Sequence, residues 1–184
     1  MASRREWLLL VIIAGVVAVD QGSKALVRQQ MAVLESVPVI DGMLWLTHIE
    51  NNGAAFSILR GQQWLLIATA VMMLAVVAYV VLHIRPTGPW VRVALAFVSG
   101  GAIGNLIDRV VSGAVTDFLD LGWFPIFNIA DIALDVGVVI LVVLLLFKGD
   151  HAFIGHHTHD NPTVPEVPHE EGEVLTVDVR TSDT

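Results

Sequence analysis

Four long apolar stretches constrain this chain more than any other feature of its sequence. A bilayer with a hydrocarbon core of about 30 Å is spanned by roughly 20 helical residues, because every backbone amide must find its partner inside the segment. Since 55% of the 184 residues are hydrophobic and only 15% are charged, the composition excludes an ordinary soluble domain. We therefore expect a mainly α-helical membrane protein with transmembrane helices at residues 7–28, 64–82, 90–109 and 126–147.

The first of these stretches allows two interpretations. Residues 7–19 are apolar and follow two arginines, a pattern that is also typical of a secretory signal peptide with a small-residue cleavage site near Ala18. Continuing the helix to Val27 gives a length that can cross the bilayer, and Asp20 and Lys24 then form an i, i+4 ion pair. We therefore count this stretch as the first of four transmembrane helices.

The segment between the first two helices, residues 29–63, predicts a small β-sheet outside the membrane. Its apolar runs at 37–40 and 43–49 are short and are bounded by proline, glycine and asparagine, which is typical of strands and turns. The later connection, residues 110–125, contains two glycines and a proline. We expect no regular element there.

The chain after residue 148 differs in composition from the rest. Residues 149–184 are rich in proline and acidic residues, lack helical periodicity and carry most of the net charge of −8. Such a composition cannot bury enough apolar surface to fold, so we expect a disordered acidic tail beside a membrane domain of residues 1–148. The histidines at 156–159 allow a weak divalent-metal site as the alternative to a plain solvated tail, and we assign no metal there.

Basic residues near the helix ends predict the orientation in the membrane. With four spans both termini lie on one side, and five basic residues near the span ends fall on that side against four on the other. Two of the four, Lys24 and Arg109, are expected to be ion-paired within helix ends. We therefore expect both termini and the tail to be cytoplasmic, and the sheet to be extracytoplasmic.

Polar side chains inside the last span indicate a functional interior. On a helix Asn128, Asp131 and Asp135 share one face, and a carboxylate at mid-span costs at least about 2.5 kcal/mol. In the preceding connection, Asp117 or Asp120 can fold back against Asp131. Two carboxylates that share one proton can hydrolyse an amide, because the ionised one activates water and the protonated one donates to the carbonyl oxygen.

The third span carries a second set of polar and small residues. Gly100 and Gly104 form a G-x-x-x-G arrangement that permits close helix contact. Gly101 and Asn105 share a helix face with Asp108 and Arg109. For Asp108 with Arg109, as for the first-span pair described above, we favour a structural ion pair over a catalytic role. The alternative to a catalytic role for the polar residues of the last span is a structural role, in which they form hydrogen bonds between helices.

Five motifs follow one another along the chain. They are "DQGSK" at 20–24, "NNGAAFSI" at 51–58, "GGAIGNLIDR" at 100–109, "VTDFLD" at 115–120 and "FNIAD" at 127–131. In this combination and order they closely resemble the bacterial lipoprotein signal peptidases, the signal peptidase II type. The resemblance covers about residues 7–147 and leaves the tail outside.

The resemblance implies a membrane aspartic endopeptidase that cuts a prolipoprotein signal peptide just before a diacylglyceryl-modified cysteine. Its catalytic pair would be the aspartate of "VTDF" and that of "FNIAD", which are Asp117 and Asp131. The supporting positions carried over from the family are Asp20, Lys24, Asn51, Gly53, Gly101, Asn105, Arg109, Asn128 and Ala130. No metal or organic cofactor is implied, and the family is inhibited by globomycin.

The resemblance also implies an architecture, a location and partners. We expect four transmembrane helices with a small extracytoplasmic sheet, in the bacterial cytoplasmic membrane, with the active site near the extracytoplasmic surface. The partners would be lipidated prolipoprotein substrates and membrane lipids, with no nucleic acid, and we expect a monomer.

Two positions depart from the family pattern. Ile132 stands where the family often has serine, and Asp135 occupies a position that is usually uncharged. Asp131 and Asp135 would repel each other if both were ionised, so we expect Asp135 to be protonated or paired elsewhere, and we assign it no role. Two other functions are compatible with polar residues in spans, a proton-coupled transporter or channel subunit and a non-enzymatic assembly factor. Transporters commonly carry internal repeats, and none is visible in this sequence.

Overall fold

The computed structural model describes residues 4–53, 62–84 and 88–148. The predicted tail lies outside these residues, as do residues 54–58 of the "NNGAAFSI" motif. The described helices are α1 (Arg4–Gln30), α2 (Gln63–Tyr79), α3 (Pro89–Val111) and α4 (Ile129–Lys148). A π-helical segment, Val80–Ile84, continues α2. All four helices are long and apolar enough to cross a membrane, and together with the sheet described below they confirm the predicted fold class.

Two helix starts bear on the interpretation of the sequence. Helix α1 runs without interruption past residue 19, and its candidate membrane span is Trp7–Gln30. This favours a transmembrane helix over the short apolar core of a signal peptide. Helix α4 begins at Ile129, three residues later than expected, so Asn128 precedes the helix and Asp131 lies in its first turn.

Helix α3 is the central helix of the bundle and packs against the other three. Small residues allow this close packing. A Cβ atom on Gly100 would lie 2.7 Å from Cβ of Val16 in α1, and a Cβ on Gly101 would collide with the carbonyl oxygen of Ala130 in α4. The predicted close contact of the G-x-x-x-G arrangement is therefore made with α1, while Gly101 holds the backbone of α4 against α3.

Three antiparallel strands form the sheet, in the order β1 (Ser36–Ile40), β2 (Leu44–Asn51) and β3 (Val115–Asp120). The first two match the predicted runs, but the expectation of no regular element in residues 110–125 is wrong. The glycines that suggested a broken segment, Gly113 and Gly122, have φ values of 81° and 77° and form the turns on either side of β3.

The path of the chain after β3 brings the sheet to the start of α4. Asp117 of β3 pairs with Ile49 of β2. Beyond β3 the chain reverses, and Phe127 forms an antiparallel bridge with Leu119 in which each backbone N–H donates to the other's carbonyl. The reversal places Asn128, the last residue before α4, beside the middle of β3. The carboxylate of Asp117 is thus positioned by the sheet, and the carboxylate of Asp131 is positioned by α4.

Candidate active site

Only one of the two aspartates of "VTDFLD" points toward the helices. Side chains of a strand alternate between its two faces, so residues three apart point in opposite directions. The carboxylate of Asp117 meets Asn128, whereas Asp120 accepts hydrogen bonds from Thr47 Oγ1 at 2.9 Å and from its own turn. Asp120 is therefore on the far face of the sheet and is not the partner of Asp131.

Amide groups hold both oxygens of the Asp117 carboxylate. Asn128 Nδ2 donates to Oδ1 at 2.6 Å, and Asn51 Nδ2 donates to Oδ2 at 2.8 Å. The side chain is only 3% exposed. The pKa of Asp117 is raised to about 6: burial is the main cause, the charge of Asp131 adds to the rise, and the hydrogen bonds from the two amides oppose it. Asp117 is thus suited to hold a proton near neutral pH.

Asn128 and Asp131 form a reciprocal cap at the start of α4. The backbone N–H of Asn128 donates to Asp131 Oδ2 at 3.1 Å, and the backbone N–H of Asp131 donates to Asn128 Oδ1 at 3.1 Å. This is the capping-box arrangement, with the first residue just before the helix and the second in its first turn. The spacing of "FNIAD" therefore stabilises the helix start and aims Asp131 at the same point as Asp117.

Asn105 of α3 holds the other oxygen of Asp131. Its Nδ2 donates to Asp131 Oδ1 at 2.7 Å, while its Oδ1 accepts from Lys24 Nζ at 3.0 Å and from Asn128 Nδ2 at 3.1 Å. Because a lysine ammonium can only donate, it fixes which end of the Asn105 amide faces α1. The amide N–H₂ of Asn105 is thereby directed at Asp131.

A buried ion cluster lies beneath these amides. Lys24 Nζ is 2.9 Å from Asp20 Oδ2 and 3.0 Å from Asp108 Oδ2, and none of the three side chains is more than 1% exposed. Arg28 Nη1 lies 3.5 Å from the other oxygen of Asp108. The expected pairing of Asp108 with Arg109 is wrong, because consecutive helical residues point about 100° apart and Asp108 turns toward α1.

Asp20 also caps α4 from another helix. Its Oδ1 accepts a hydrogen bond from the backbone N–H of Ala130 at 3.0 Å. The first turn of a helix has free N–H groups and a partial positive charge, so a carboxylate is favourable there. A Cβ on Gly104 would press on the Asp20 carboxylate, so glycine leaves room for it. Ala130 thus contributes through its backbone, and Asp20 and Lys24 act one layer behind the carboxylate pair.

A cleft of roughly 490 Å³ opens beside the two carboxylates. Its polar lining consists of Asn51, Gly53, Asn105, Arg109, Asp117, Asp131 and Asp135. Its apolar lining consists of Val115, Leu121, Trp123, Phe124, Pro125, Ile126, Phe127 and Ile132. Sequence reasoning missed this apolar wall. The aromatic residues between the two aspartate motifs, Trp123 and Phe124, are the sequence signal that could have revealed this wall.

Arg109 and Gly53 complete the polar side of the cleft. Arg109 is attracted electrostatically by Asp131 and Asp117, and its Nη1 donates to the Asn105 carbonyl at 3.3 Å. Within the part of the chain that the structure describes, its buried Nε has no hydrogen-bond partner. The backbone N–H of Gly53 donates to Asn51 Oδ1 at 2.9 Å and so directs the Asn51 amide at Asp117.

Asp135 lies on the cleft wall one turn beyond Asp131, and its side chain is exposed. We expected it to be protonated or paired elsewhere. No hydrogen bond or ion pair joins it to any other described residue.

Comparisons with known proteins agree on one family. Residues 12–147 match the family Signal peptidase (SPase) II. The chain is 42% identical over 135 residues to a lipoprotein signal peptidase of Syntrophomonas wolfei, covering 73% of this chain and 89% of that protein. It is 44% identical over 141 residues to a lipoprotein signal peptidase of Brevibacillus brevis, covering 75% and 94%.

Two solved structures share the fold. One is described as a bacterial membrane enzyme at 2.3 Å resolution, with a TM-score of 0.74 and 33% identity, covering 87% of this chain and 94% of that one. The other, a bacterial membrane enzyme at 1.9 Å resolution, has a TM-score of 0.71 and 34% identity, with coverage of 77% and 94%.

Proposed function

This chain belongs to the signal peptidase II family, and from that premise we propose that Asp117 and Asp131 are its catalytic pair. It is a multi-pass bacterial membrane protein and an aspartic peptidase that removes signal peptides from prolipoproteins. Family membership decides against the transporter and the assembly factor that the sequence left open. The observation that carries the assignment of the pair is Asn128, which donates to both carboxylates at the edge of the cleft.

The two carboxylates act as acid and base toward one water molecule. We assign the shared proton to Asp117, whose pKa is raised to about 6, chiefly by burial, and the negative charge to Asp131. The water oxygen attacks the scissile carbonyl carbon while Asp131 takes a water proton and Asp117 donates its proton to the carbonyl oxygen. Collapse of the tetrahedral intermediate breaks the C–N bond, the leaving amine takes the proton from Asp131, and one hydroxyl of the intermediate returns a proton to Asp117 as the new carboxyl group forms. No acyl-enzyme forms, because water attacks directly.

Fixed amides and one cation hold this pair in position. Asn51, Asn105 and Asn128 leave no carboxylate oxygen free to rotate, and Arg109 balances the negative charge of the pair. Such preorganisation lowers the barrier because the groups need not reorient during the reaction. The remaining positions carried over from the family, Asp20 among them, support these amides or the start of α4.

The cleft suits a substrate that arrives from the membrane. Its wall is mostly apolar, and α4 continues from Asp131 into the candidate span Ile129–Phe147. We place the scissile bond just before a diacylglyceryl-modified cysteine, with the acyl chains remaining in lipid. The chain acts as a monomer in the cytoplasmic membrane, with both termini in the cytoplasm and the sheet and catalytic pair near the opposite surface.

The test is cleavage of a lipidated precursor by the purified full-length protein in detergent. We expect Asp117→Asn and Asp131→Asn each to lower kcat by at least about 100-fold, since each removes one acid–base group. Asp120→Asn is the matched control, because that carboxylate lies on the far face of the sheet. The assignment of the pair fails if either variant cleaves as fast as wild type, or if Asp120→Asn is as inactive as they are.

A further inference from the structure

Asp135 is the polar residue of the cleft that the catalytic mechanism does not use. It lies within the candidate span Ile129–Phe147, and the exposed side chains around it on α4 are apolar, with Ile132 39% exposed and Val139 59% exposed. Described residues supply it with no hydrogen bond or ion pair. A carboxylate inside a span is costly unless a polar partner or water reaches it, and such residues normally mark a functional site.

The position of Asp135 relative to Asp131 indicates which part of a substrate it meets. Four residues of helix advance about 6 Å along the axis, and an extended peptide covers that distance with about two residues. If the scissile bond lies at Asp131, the substrate beside Asp135 is about two residues away from it. The apolar signal peptide stays in the membrane, and α4 runs from Asp131 into the span, so those residues precede the cleaved bond.

The chemistry of a carboxylate excludes the acyl chains as its neighbour. Hydrocarbon offers neither a hydrogen-bond donor nor a positive charge, so burying Asp135 against it would leave the carboxylate without compensation. A peptide offers both. The half of the cleft that Asp135 borders is therefore matched to the signal peptide.

We propose that Asp135 is a specificity-determining residue, which faces the signal peptide about two residues before the cleaved bond. It favours a side chain that donates a hydrogen bond or carries a positive charge there, and it disfavours an acidic side chain. This inference rests on the proposed function, because it takes Asp117 and Asp131 to mark the scissile bond.

The test measures a charge preference rather than a rate. Lipidated precursors carry either Lys or Glu at each of the four positions before the cleaved bond in turn, and the ratio of the two kcat/KM values is measured at each position. In wild type we expect the ratio to reach about tenfold near the second position, because exchanging the charge turns an attraction into a repulsion. Asp135→Asn keeps the shape and removes the charge, so its ratio should fall to about one.

Controls separate this inference from a structural effect and from the proposed function. Asp41→Asn, in the exposed turn between β1 and β2, should leave the ratio unchanged. The inference is overturned if Asp135→Asn retains the wild-type ratio at all four positions, even if its overall rate is lower. If wild type leaves the unaltered precursor intact, or if Asp117→Asn cleaves it, the proposed function has failed instead.

Discussion

The side-chain amide of Asn128 donates a 2.6 Å hydrogen bond to Asp117, although the two residues belong to different elements. The backbone N–H of the same residue donates to Asp131. One residue just before α4 therefore fixes the distance between the two carboxylates. The sheet and the helix bundle are joined at the point where the chemistry takes place.

The two tasks of Asn128 can be separated by substitution. Asn128→Ala removes both the cap and the amide, and we expect it to cost about 1 kcal/mol of stability and about 100-fold in kcat. Asn128→Ser keeps a side-chain oxygen that can cap the helix but lacks the amide that reaches Asp117. Its melting temperature should stay close to wild type while its activity stays low. Equal activity of the serine variant and wild type would contradict the bridging role.

Glycine at position 101 sets the distance between α3 and α4. A Cβ there would collide with the Ala130 carbonyl oxygen, one turn from Asn105 and its contact with Asp131. We expect Gly101→Ala to destabilise the protein by about 1–3 kcal/mol through overpacking and to lower activity by displacing the pair. Gly22→Ala is the matched control, because its Cβ would have no neighbour within 4 Å. Thermal unfolding and precursor cleavage of both variants decide whether close packing matters.

The sequence predicted the parts of this site that depend on side-chain type and missed those that depend on packing. The lengths of the apolar stretches predict the four helices, and the motif matches identify Asp117 and Asp131 as the candidate catalytic pair. Strand β3 was not predicted, because it is formed by pairing with β2, which is distant in the sequence. The partner of Asp108 depends on how α3 is rotated against α1, and Ala130 acts through a backbone N–H that leaves no side-chain signal.

The buried carboxylate of Asp20 is expected to stabilise the folded protein. Asp20→Asn can still accept the Ala130 N–H but no longer balances Lys24, which is fully buried. Removing one member of a buried ion pair costs about 3 kcal/mol, which corresponds to a fall in melting temperature of roughly 6–12 °C for a chain of this size. Asp120→Asn lies outside this cluster and should change the melting temperature by less than about 2 °C. Similar melting temperatures for the two variants would show that the cluster contributes little.

The raised pKa of Asp117 predicts how stability depends on pH. Burial, with the charge of Asp131 adding to it, raises this pKa from 3.8 to about 6. Between these values the folded chain keeps a proton that the unfolded chain has released, so the contribution of this group to the free energy of unfolding falls as the pH rises. A shift of this size corresponds to a loss of about 3 kcal/mol, complete above about pH 7. Asp117→Asn has no such proton. The melting temperature of wild type should therefore fall relative to that of this variant as the pH rises from about 4 to about 7. Melting curves in detergent across that range provide the measurement, and parallel curves for the two proteins would show that the carboxyl titrates alike in the folded and unfolded chains.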